Sequence, residues 1–304
     1  MFYYLNNKEI ACQSARVAIS GPDANTYLQG QFTQDLRGPI GGIFYGLWLN
    51  QKGRPLAEST VARCSETDFL ILSKVSPASV IQRRLEDYLV ADEVVIIDES
   101  ESWEWMALVG EGVEAVILRE IGVLPASGRF VSTEGVVVHA GRNSAQVNFD
   151  VWLRRDRVAA WVATLAAAGA VAATQEDWTR ERVRSGLPVV PTELGVGDLP
   201  AEGGLDAVAI SYTKGCYLGQ EVMARLKNLG QVRRGLHVVR GEGGAPDAGA
   251  ELQQAGKRVG EMRAAVSDGA GWLGFAMLSL VGLKAEGPLA LASGGGAVTV
   301  VRHV

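Results

Sequence analysis

The spacing of hydrophobic residues changes near Gly230, and this change limits the folds open to the chain. Before Gly230, apolar stripes at helical spacing alternate with short apolar runs that are typical of strands. After it the helical stripes disappear, and β-like runs at Leu236–Arg240, Gly271–Leu278 and Ala297–Val301 alternate with turns. Short strands separated by turns are typical of small antiparallel barrels and sandwiches. We therefore predict a β-unit of that kind at the C-terminus.

The middle of the chain alternates strand and helix patterns. The strands and helices predicted from spacing, turns and helix starts are, in order, Asp68–Ser73, Val80–Leu89, Val94–Ile97, Trp103–Val109, Val113–Ile121 and a hairpin within Gly128–Ala140. The order strand, helix, strand, strand, helix, strand is typical of a ferredoxin-like unit. Together with the C-terminal strands, it predicts an α+β protein.

Two local sequence patterns, one before and one after this middle part, predict a specific turn and a specific helix. Asn50–Gly53 reads as a hairpin turn between strands at Phe44–Leu49 and Arg54–Ala62. Thr174 is placed to cap a helix that runs to Arg184, and Gly186 is placed to end it.

Length and composition exclude several classes of protein. With 304 residues the chain is longer than one ordinary core supports, so two or three packed units are expected. The hydrophobic fraction of 47% and charged fraction of 21% are typical of a globular protein. The net charge of −5 makes duplex DNA an unfavourable general partner, although a local basic patch is compatible with it.

The cysteines and histidines of the chain indicate a reducing compartment, and their spacing offers no metal-binding motif. The three cysteines, Cys12, Cys64 and Cys216, are widely spaced, and no CxxC or paired-histidine motif occurs. The first residues lack a basic stretch followed by an apolar run, and the longest apolar stretch, Trp161–Ala173, is too short to cross a bilayer. We therefore expect a cytoplasmic protein with no membrane partner.

The segment Lys214–Glu221 carries the clearest chemical signal. Gly215 and Gly219 flank Cys216, and glycine permits positive φ and close backbone approach, so a strained turn is predicted. A helix is predicted just after it, where the macrodipole favours an anion, and Lys214 adds a nearby cation. Both effects lower a thiol pKa, which predicts that Cys216 and Lys214 are the catalytic pair. The alternative is a buried cysteine in a tight turn with a solvated lysine.

The pattern Lys-Gly-Cys-Tyr-x-Gly-Gln-Glu resembles the motif of the YgfZ-type folate-binding proteins, which are relatives of the glycine cleavage T-protein (aminomethyltransferase). Shorter blocks support the resemblance over roughly residues 20–235. They lie within 21–35, 45–54, 186–188 and 204–206.

The resemblance implies a T-protein-like ring of three domains around a central channel. The implied divisions are a discontinuous folate-binding domain (1–50 plus 145–229), a ferredoxin-like middle domain (51–144) and a C-terminal antiparallel β-barrel (230–304). The channel of these relatives accepts tetrahydrofolate. The YgfZ-type branch is associated with the assembly or repair of iron–sulfur enzymes, including enzymes that thiolate tRNA, so such enzymes or their assembly factors are the implied partners.

Two positions depart from the aminomethyltransferase pattern. The family's Asp-Asp pair is replaced here by a stretch that ends in a single acid, Glu58. The glutamate that grips the pterin in the transferases corresponds to Arg184, and a guanidinium offers only donors. A standard aminomethyltransferase is therefore not expected, while folate binding in some pose is. A tetrahydrofolate-dependent one-carbon transferase stays as the alternative function, and an interaction protein with an empty channel as a third.

The cations between Val222 and Gly241 favour an anionic ligand such as the glutamate tail of folate, because no acid interrupts them. A solvated basic surface is the alternative, and contact with tRNA is a weaker one given the net charge. The residues expected to bind the folate cofactor are Gln31, Thr33, Asn50, Glu58, Arg184, Tyr217, Gln220, Glu221 and Arg225.

Overall fold

A computed structural model describes residues 2–6, 14–283, 287–294 and 296–304. Cys12 lies outside the described residues. The elements of the first half are β1 (Phe2–Asn6), β2 (Ala15–Ser20), α1 (Ala24–Gln31), β3 (Ile43–Leu49), β4 (Pro55–Arg63), β5 (Asp68–Ser73), α2 (Ala78–Glu86), β6 (Val95–Asp98), β7 (Trp103–Gly110), α3 (Val113–Ile121), β8 (Phe130–Thr133) and β9 (Val136–Ala140). Those of the second half are β10 (Asn148–Arg154), α4 (Arg155–Ala167), β11 (Val171–Ala172), α5 (Gln175–Ser185), α6 (Asp206–Ala209), α7 (Gln220–Leu229), β12 (Arg234–Glu242), β13 (Glu251–Gln254), β14 (Lys257–Asp268), β15 (Gly271–Ser279), β16 (Leu289–Leu291) and β17 (Ala297–His303).

The first sheet has the strand order β3-β4-β5-β2-β6 and is antiparallel throughout. Helices α1 and α2 cover one of its faces, where their apolar stripes pack on Val17, Val61 and Ile71. The predicted hairpin turn joins β3 to β4, and Gly53 N–H donates to Asn50 O at 2.9 Å. The domain boundary predicted at residue 50 therefore falls between two paired strands of one sheet. The division into three domains otherwise stays a prediction.

The second sheet has the strand order β11-β1-β7-β10-β9-β8. Helices α3 and α4 cover one face through Val116, Trp161 and Leu165. The predicted run from β5 to β9 is present in order, but β5 and β6 belong to the first sheet while β7, β8 and β9 belong to the second. The reason is physical: alternation of apolar residues identifies the buried face of a strand and carries no information about which strand pairs with it.

The C-terminal strands close into an antiparallel barrel with the order β12-β15-β14-β13-β16-β17, which confirms the β-unit predicted from the tail. The barrel has an interior cluster that includes Val239, Met262 and Leu278. A second cluster joins its outer surface to β3 through Leu47 and Phe275. The barrel is thereby packed against the first sheet as well as closed on itself.

Helix α5 links the second sheet to the barrel. It begins with the predicted cap, since Thr174 and Asp177 form a reciprocal capping box, and it ends at Gly186 with φ +70°. Its Arg182 forms a bidentate ion pair with Glu193 at 2.9 and 3.0 Å, and both side chains are almost fully buried. No helix among the described residues is both long and apolar enough to cross a membrane.

Candidate functional site

The motif loop before α7 is bound along its length to the residues that follow α1. Leu218 N–H donates to Gly30 O at 3.2 Å, and Ser211 N–H donates to Thr33 O at 3.0 Å. Between them, Lys214 Nζ donates to Phe32 O at 2.6 Å and to the carbonyl of Gln34 at 3.0 Å. Two sequence blocks about 180 residues apart thus form one structural unit.

Lys214 is buried, with 5% of its surface exposed. Its ammonium group, which donates to the two carbonyl oxygens, also lies 5.2 Å from the ring centroid of Tyr217. Burial lowers the pKa of Lys214 to about 8, and the charge of Asp35 acts against this shift. The lysine expected as a cation beside the thiol is therefore a buried group that anchors the loop to backbone carbonyls.

Cys216 lies at the surface of this loop, with its side chain exposed. Helix α7 begins at Gln220, so the cysteine precedes the Gly219 cap by three positions. Gly219 has φ +84°, and a Cβ there would lie 2.7 Å from Asn50 O. Gly215 has open space around the corresponding position. The close backbone approach predicted for the two glycines applies to Gly219 only, and a functional role for the thiol stays a prediction.

A cavity of about 170 Å³ lies between the facing sides of the two sheets. Its walls come from strands β3, β4 and β5 on one side and β7, β9 and β10 on the other. Charged, aromatic and hydroxyl side chains all reach it, among them Tyr45, Glu58, Lys74, Trp105, His139, Arg142, Asp150 and Trp152. A mixture of aromatic walls and a few fixed polar groups is typical of a small-molecule site.

Glu58 is the residue of the cavity that the sequence singled out, and it is 2% exposed. Its Oε2 accepts hydrogen bonds from Tyr45 OH and from Val190 N–H, each at 3.0 Å. Burial raises the pKa of Glu58, and the charges of Lys74 and Arg142 act against this shift. A buried carboxylate with a raised pKa in a cavity is a common feature of binding and catalytic sites.

A hydrogen-bonded network joins Lys74, at the end of β5, to Asp150 on the opposite wall. Lys74 Nζ donates to Arg142 O and to Asn143 Oδ1, each at 2.7 Å. Asp150 Oδ1 accepts from Trp105 Nε1 at 2.9 Å and from Asn143 Nδ2 at 2.7 Å. Burial lowers the pKa of Lys74, while the charges of Asp150 and Glu58 raise it. These bonds fix the positions of charged groups that would otherwise be costly to bury.

Two polar atoms of this wall have no hydrogen-bond partner within the described part of the chain. They are Nε2 of His139 and Nε1 of Trp152, in side chains that are each 2% exposed. His139 Nδ1 lies 2.8 Å from Ala140 O. Burial lowers the pKa of His139, against the charge of Asp150. Buried polar atoms are rarely left unpaired, so these two are candidates for contact with a ligand.

Three of the residues predicted to bind folate make hydrogen bonds within the protein. Thr33 is fully buried, donates to Ala209 O and accepts from Leu47 N–H, each at 2.7 Å. Asn50 Oδ1 accepts the N–H groups of Lys52 and Arg54 within its hairpin. Gln31 Oε1 accepts from Arg84 Nη1 at 2.9 Å.

The remaining predicted residues lie outside the cavity. Tyr217 belongs to the motif loop and its side chain is buried, and Gln220 begins α7. Glu221 and Arg225 are exposed on that helix. Arg184 is exposed and donates to Asp268 Oδ1 at 2.5 Å. Of the predicted set, the structure brings only Glu58 to the cavity between the sheets.

Sequence reasoning missed Lys74, His139, Arg142, Asp150 and Trp152. A signal for two of them was present: His139 and Asp150 each interrupt an otherwise apolar strand. A charged or polar residue in such a run is buried and needs a partner. Within the described ranges, no three His, Cys, Asp or Glu side chains are grouped so that they could hold a metal ion.

Two protein-family models match the chain. The GCVT N-terminal domain matches residues 12–140, and the CAF17 C-terminal beta-barrel domain matches residues 233–303. The "tRNA-modifying protein YgfZ" of Colwellia psychrerythraea is 26% identical over 72% of this chain and 67% of its own length. The mitochondrial "Iron-sulfur cluster assembly factor IBA57" of Mus musculus is 28% identical over 90% of this chain and 77% of its own.

A solved structure shares the fold. The glycine cleavage system aminomethyltransferase T from Bartonella henselae superposes with a TM-score of 0.84, at 17% identity, over 98% of this chain and 84% of that one. This likeness confirms the predicted fold class, an α+β T-protein-like architecture with a C-terminal antiparallel barrel. The motif, both family models and the relatives agree: the chain carries a GCVT N-terminal domain and a CAF17-type C-terminal barrel, and they confirm its predicted resemblance to the YgfZ-type proteins related to the glycine cleavage T-protein.

Proposed function

We propose that the protein binds a tetrahydrofolate and that the cavity between the two sheets receives its pterin ring. The observation that carries the proposal is the buried carboxylate of Glu58 facing a wall with two unpaired polar atoms. A pterin ring presents N–H donors that a carboxylate can accept, and its flat faces suit aromatic walls such as Trp105 and Trp152. Glu58 would supply the carboxylate that Arg184 cannot.

The size of the cavity supports a ring within it and a tail outside it. A volume of 170 Å³ corresponds to space for on the order of ten waters, which suits a fused ring better than a whole folate. Arg142 is half-buried, donates to Tyr45 OH and to Pro188 O, and stacks 4.7 Å from the Tyr45 ring centroid. A cation held in this way is suited to an anionic tail.

We further propose that the bound folate serves an accessory role for iron–sulfur enzymes or their assembly factors, including tRNA-modifying ones. Support comes from the names of two relatives, one a tRNA-modifying protein and one an iron–sulfur cluster assembly factor. Cys216 would be the functional thiol, because it is exposed on a loop held in place by Lys214. One cysteine cannot supply the four thiolates of a stable cluster, so a transient role is expected.

A one-carbon transferase is the second candidate, and Glu58 favours it. Tetrahydrofolate supplies an acceptor nitrogen for a one-carbon unit when it is bound. A buried carboxyl group with a raised pKa can hold or release a proton during the reaction. This candidate predicts folate-dependent turnover of an aminomethyl or methylamine donor that Glu58→Gln abolishes. The absence of turnover in the unmodified protein would exclude it.

Calorimetric titration of the protein with tetrahydrofolate tests the proposal. Glu58→Gln keeps the shape of the side chain and removes its charge, so we expect affinity to fall about ten- to a hundredfold. Glu86→Gln, at an exposed position of α2, is the matched control and should bind like the unmodified protein. Arg184→Gln should also bind normally, since its side chain pairs with Asp268 outside the cavity.

The role of the thiol needs a separate assay. We expect Cys216→Ser to bind tetrahydrofolate normally and to fail to restore iron–sulfur enzyme activity in a deletion strain. Full restoration by this variant would remove the thiol from the function. No binding of tetrahydrofolate to the unmodified protein would refute the folate proposal.

A further inference from the structure

The two unpaired polar atoms of the cavity lie on one face of the second sheet. His139 on β9 is directly opposite Asp150 on β10 in the strand register, and Trp152 follows two residues later. Side chains two residues apart on a strand point to the same face. His139 and Trp152 are therefore diagonal neighbours, and both line the cavity. Diagonal neighbours of this size can reach the same bound molecule.

The hydrogen-bonding roles of the two atoms follow from their surroundings. Ala140 O can only accept, so His139 Nδ1, 2.8 Å away, must carry the hydrogen. Burial keeps the ring neutral because it lowers the pKa of His139, so Nε2 holds a lone pair and accepts. The indole N–H of Trp152 can only donate. The wall thus presents one acceptor beside one donor.

Neither atom has a partner among the described residues, and leaving such groups unpaired in a buried site is costly. We propose that His139 and Trp152 select the ligand by binding an edge in which a ring N–H lies beside a ring carbonyl. The ring N–H donates to His139 Nε2, and the carbonyl accepts from Trp152 Nε1. The oxo form of a pterin has such a lactam edge. The inference deepens the proposed function and rests on it for the identity of the ring.

A pair of small probes tests this selectivity directly. One is a tetrahydropterin with the lactam edge and no tail, and the other is its diamino analogue, in which an amino group replaces the carbonyl. The amino group cannot accept from Trp152, so we expect the unmodified protein to prefer the oxo form at least tenfold. Trp152→Phe removes only the donor and should reduce the preference several-fold without abolishing it, because the ring nitrogen beside the amino group of the diamino analogue carries no hydrogen to donate to His139. His139→Phe should weaken binding of the oxo form by a similar factor.

Trp103→Phe is the matched control, because Trp103 lies on β7, does not line the cavity and stacks on Arg16. It should keep the preference of the unmodified protein. Circular dichroism and the unfolding midpoint of each variant separate loss of selectivity from loss of folding. Equal affinity for the two probes, or an unchanged preference in Trp152→Phe, would overturn the inference, as would a bound water that satisfies both atoms in place of a ligand.

Titration with tetrahydrofolate and with p-aminobenzoyl-glutamate separates this inference from the proposed function. If tetrahydrofolate binds and the two pterins bind equally well, the folate proposal stands and the selectivity inference fails. If p-aminobenzoyl-glutamate binds as well as tetrahydrofolate and the pterins do not bind, the placement of the pterin ring in the cavity fails together with the selectivity inference. If the pterins bind with the expected preference and tetrahydrofolate does not, the inference stands and the folate proposal fails. If none of the probes binds, both are refuted.

Discussion

Gly219→Ala should destabilise the protein strongly, whereas Gly215→Ala should not. Gly219 has φ +84°, which costs about 1–2 kcal/mol for a residue with a Cβ. Its Cβ would also lie 2.7 Å from Asn50 O and 3.2 Å from the Cα of Gly53, and relieving such overpacking costs about 1–3 kcal/mol. We therefore expect the free energy of unfolding to fall by about 3 kcal/mol. At Gly215 an added Cβ meets open space, so the change should stay within about 0.5 kcal/mol.

Urea unfolding followed by tryptophan fluorescence measures both changes. With a denaturant slope of about 3 kcal/mol per molar, the Gly219→Ala midpoint should drop by about 1 M and that of Gly215→Ala should not move. Equal midpoints for the two variants would refute the reasoning, because the two glycines flank the same cysteine and differ only in backbone geometry and space. If Gly215→Ala folds normally, any change in the function of Cys216 in this variant is due to the added methyl group beside the thiol and not to lost stability.

Two further predictions concern buried charge. Arg182→Leu should lower the free energy of unfolding by about 3–5 kcal/mol, because it leaves Glu193 charged and buried. Arg184→Leu removes an exposed ion pair worth at most about 1 kcal/mol. Equal urea midpoints for the two variants would contradict this reasoning. His139 has a folded pKa below its unfolded value of about 6.5, so on acidification the unfolded chain takes up a proton that the folded chain does not, and stability falls. His139→Gln should therefore reduce the loss of stability between about pH 7 and pH 5 by up to about 1.4 kcal/mol per pH unit. The loss that comes from His237, whose pKa is also lowered, should remain. An unchanged profile of stability against pH would show that His139 titrates normally.

Local features of the fold were predictable because each depends on residues that are close in sequence. The Thr174 cap needs only Asp177 three residues later, and Gly186 ends the helix through its own positive φ. The Asn50–Gly53 hairpin was identified from its turn residues alone. The absence of helical spacing after Gly230 was enough to predict an antiparallel barrel or sandwich, and the family resemblance implied the barrel that the structure has.

The cavity was harder to predict because its walls come from strands far apart in the chain. Glu58 lies on β4, Lys74 follows β5, and His139 and Asp150 lie on β9 and β10. Nothing in the sequence shows which sheet a strand joins, so β5 and β7 were placed in one unit when the structure separates them. The motif was found readily, but the bonds of its lysine to the carbonyl oxygens of Phe32 and Gln34 join distant parts of the chain and could not be predicted from the motif. The action of this lysine on the thiol stays a prediction.

The hairpin between β3 and β4 has a consequence for how the motif and the cavity communicate. Its tip lies close to α7, since a Cβ added at Gly53 would lie 2.9 Å from side-chain atoms of Val222 and Met223. Its strands carry Tyr45 and Glu58 to the cavity. A partner that displaces α7 on binding near Cys216 would therefore remove a contact of the hairpin that carries Tyr45 and Glu58. Coupling of this kind is reciprocal, so a bound ligand would change the affinity for the partner by the same factor by which the partner changes the affinity for the ligand. Ligand affinities measured with and without the partner would give that factor.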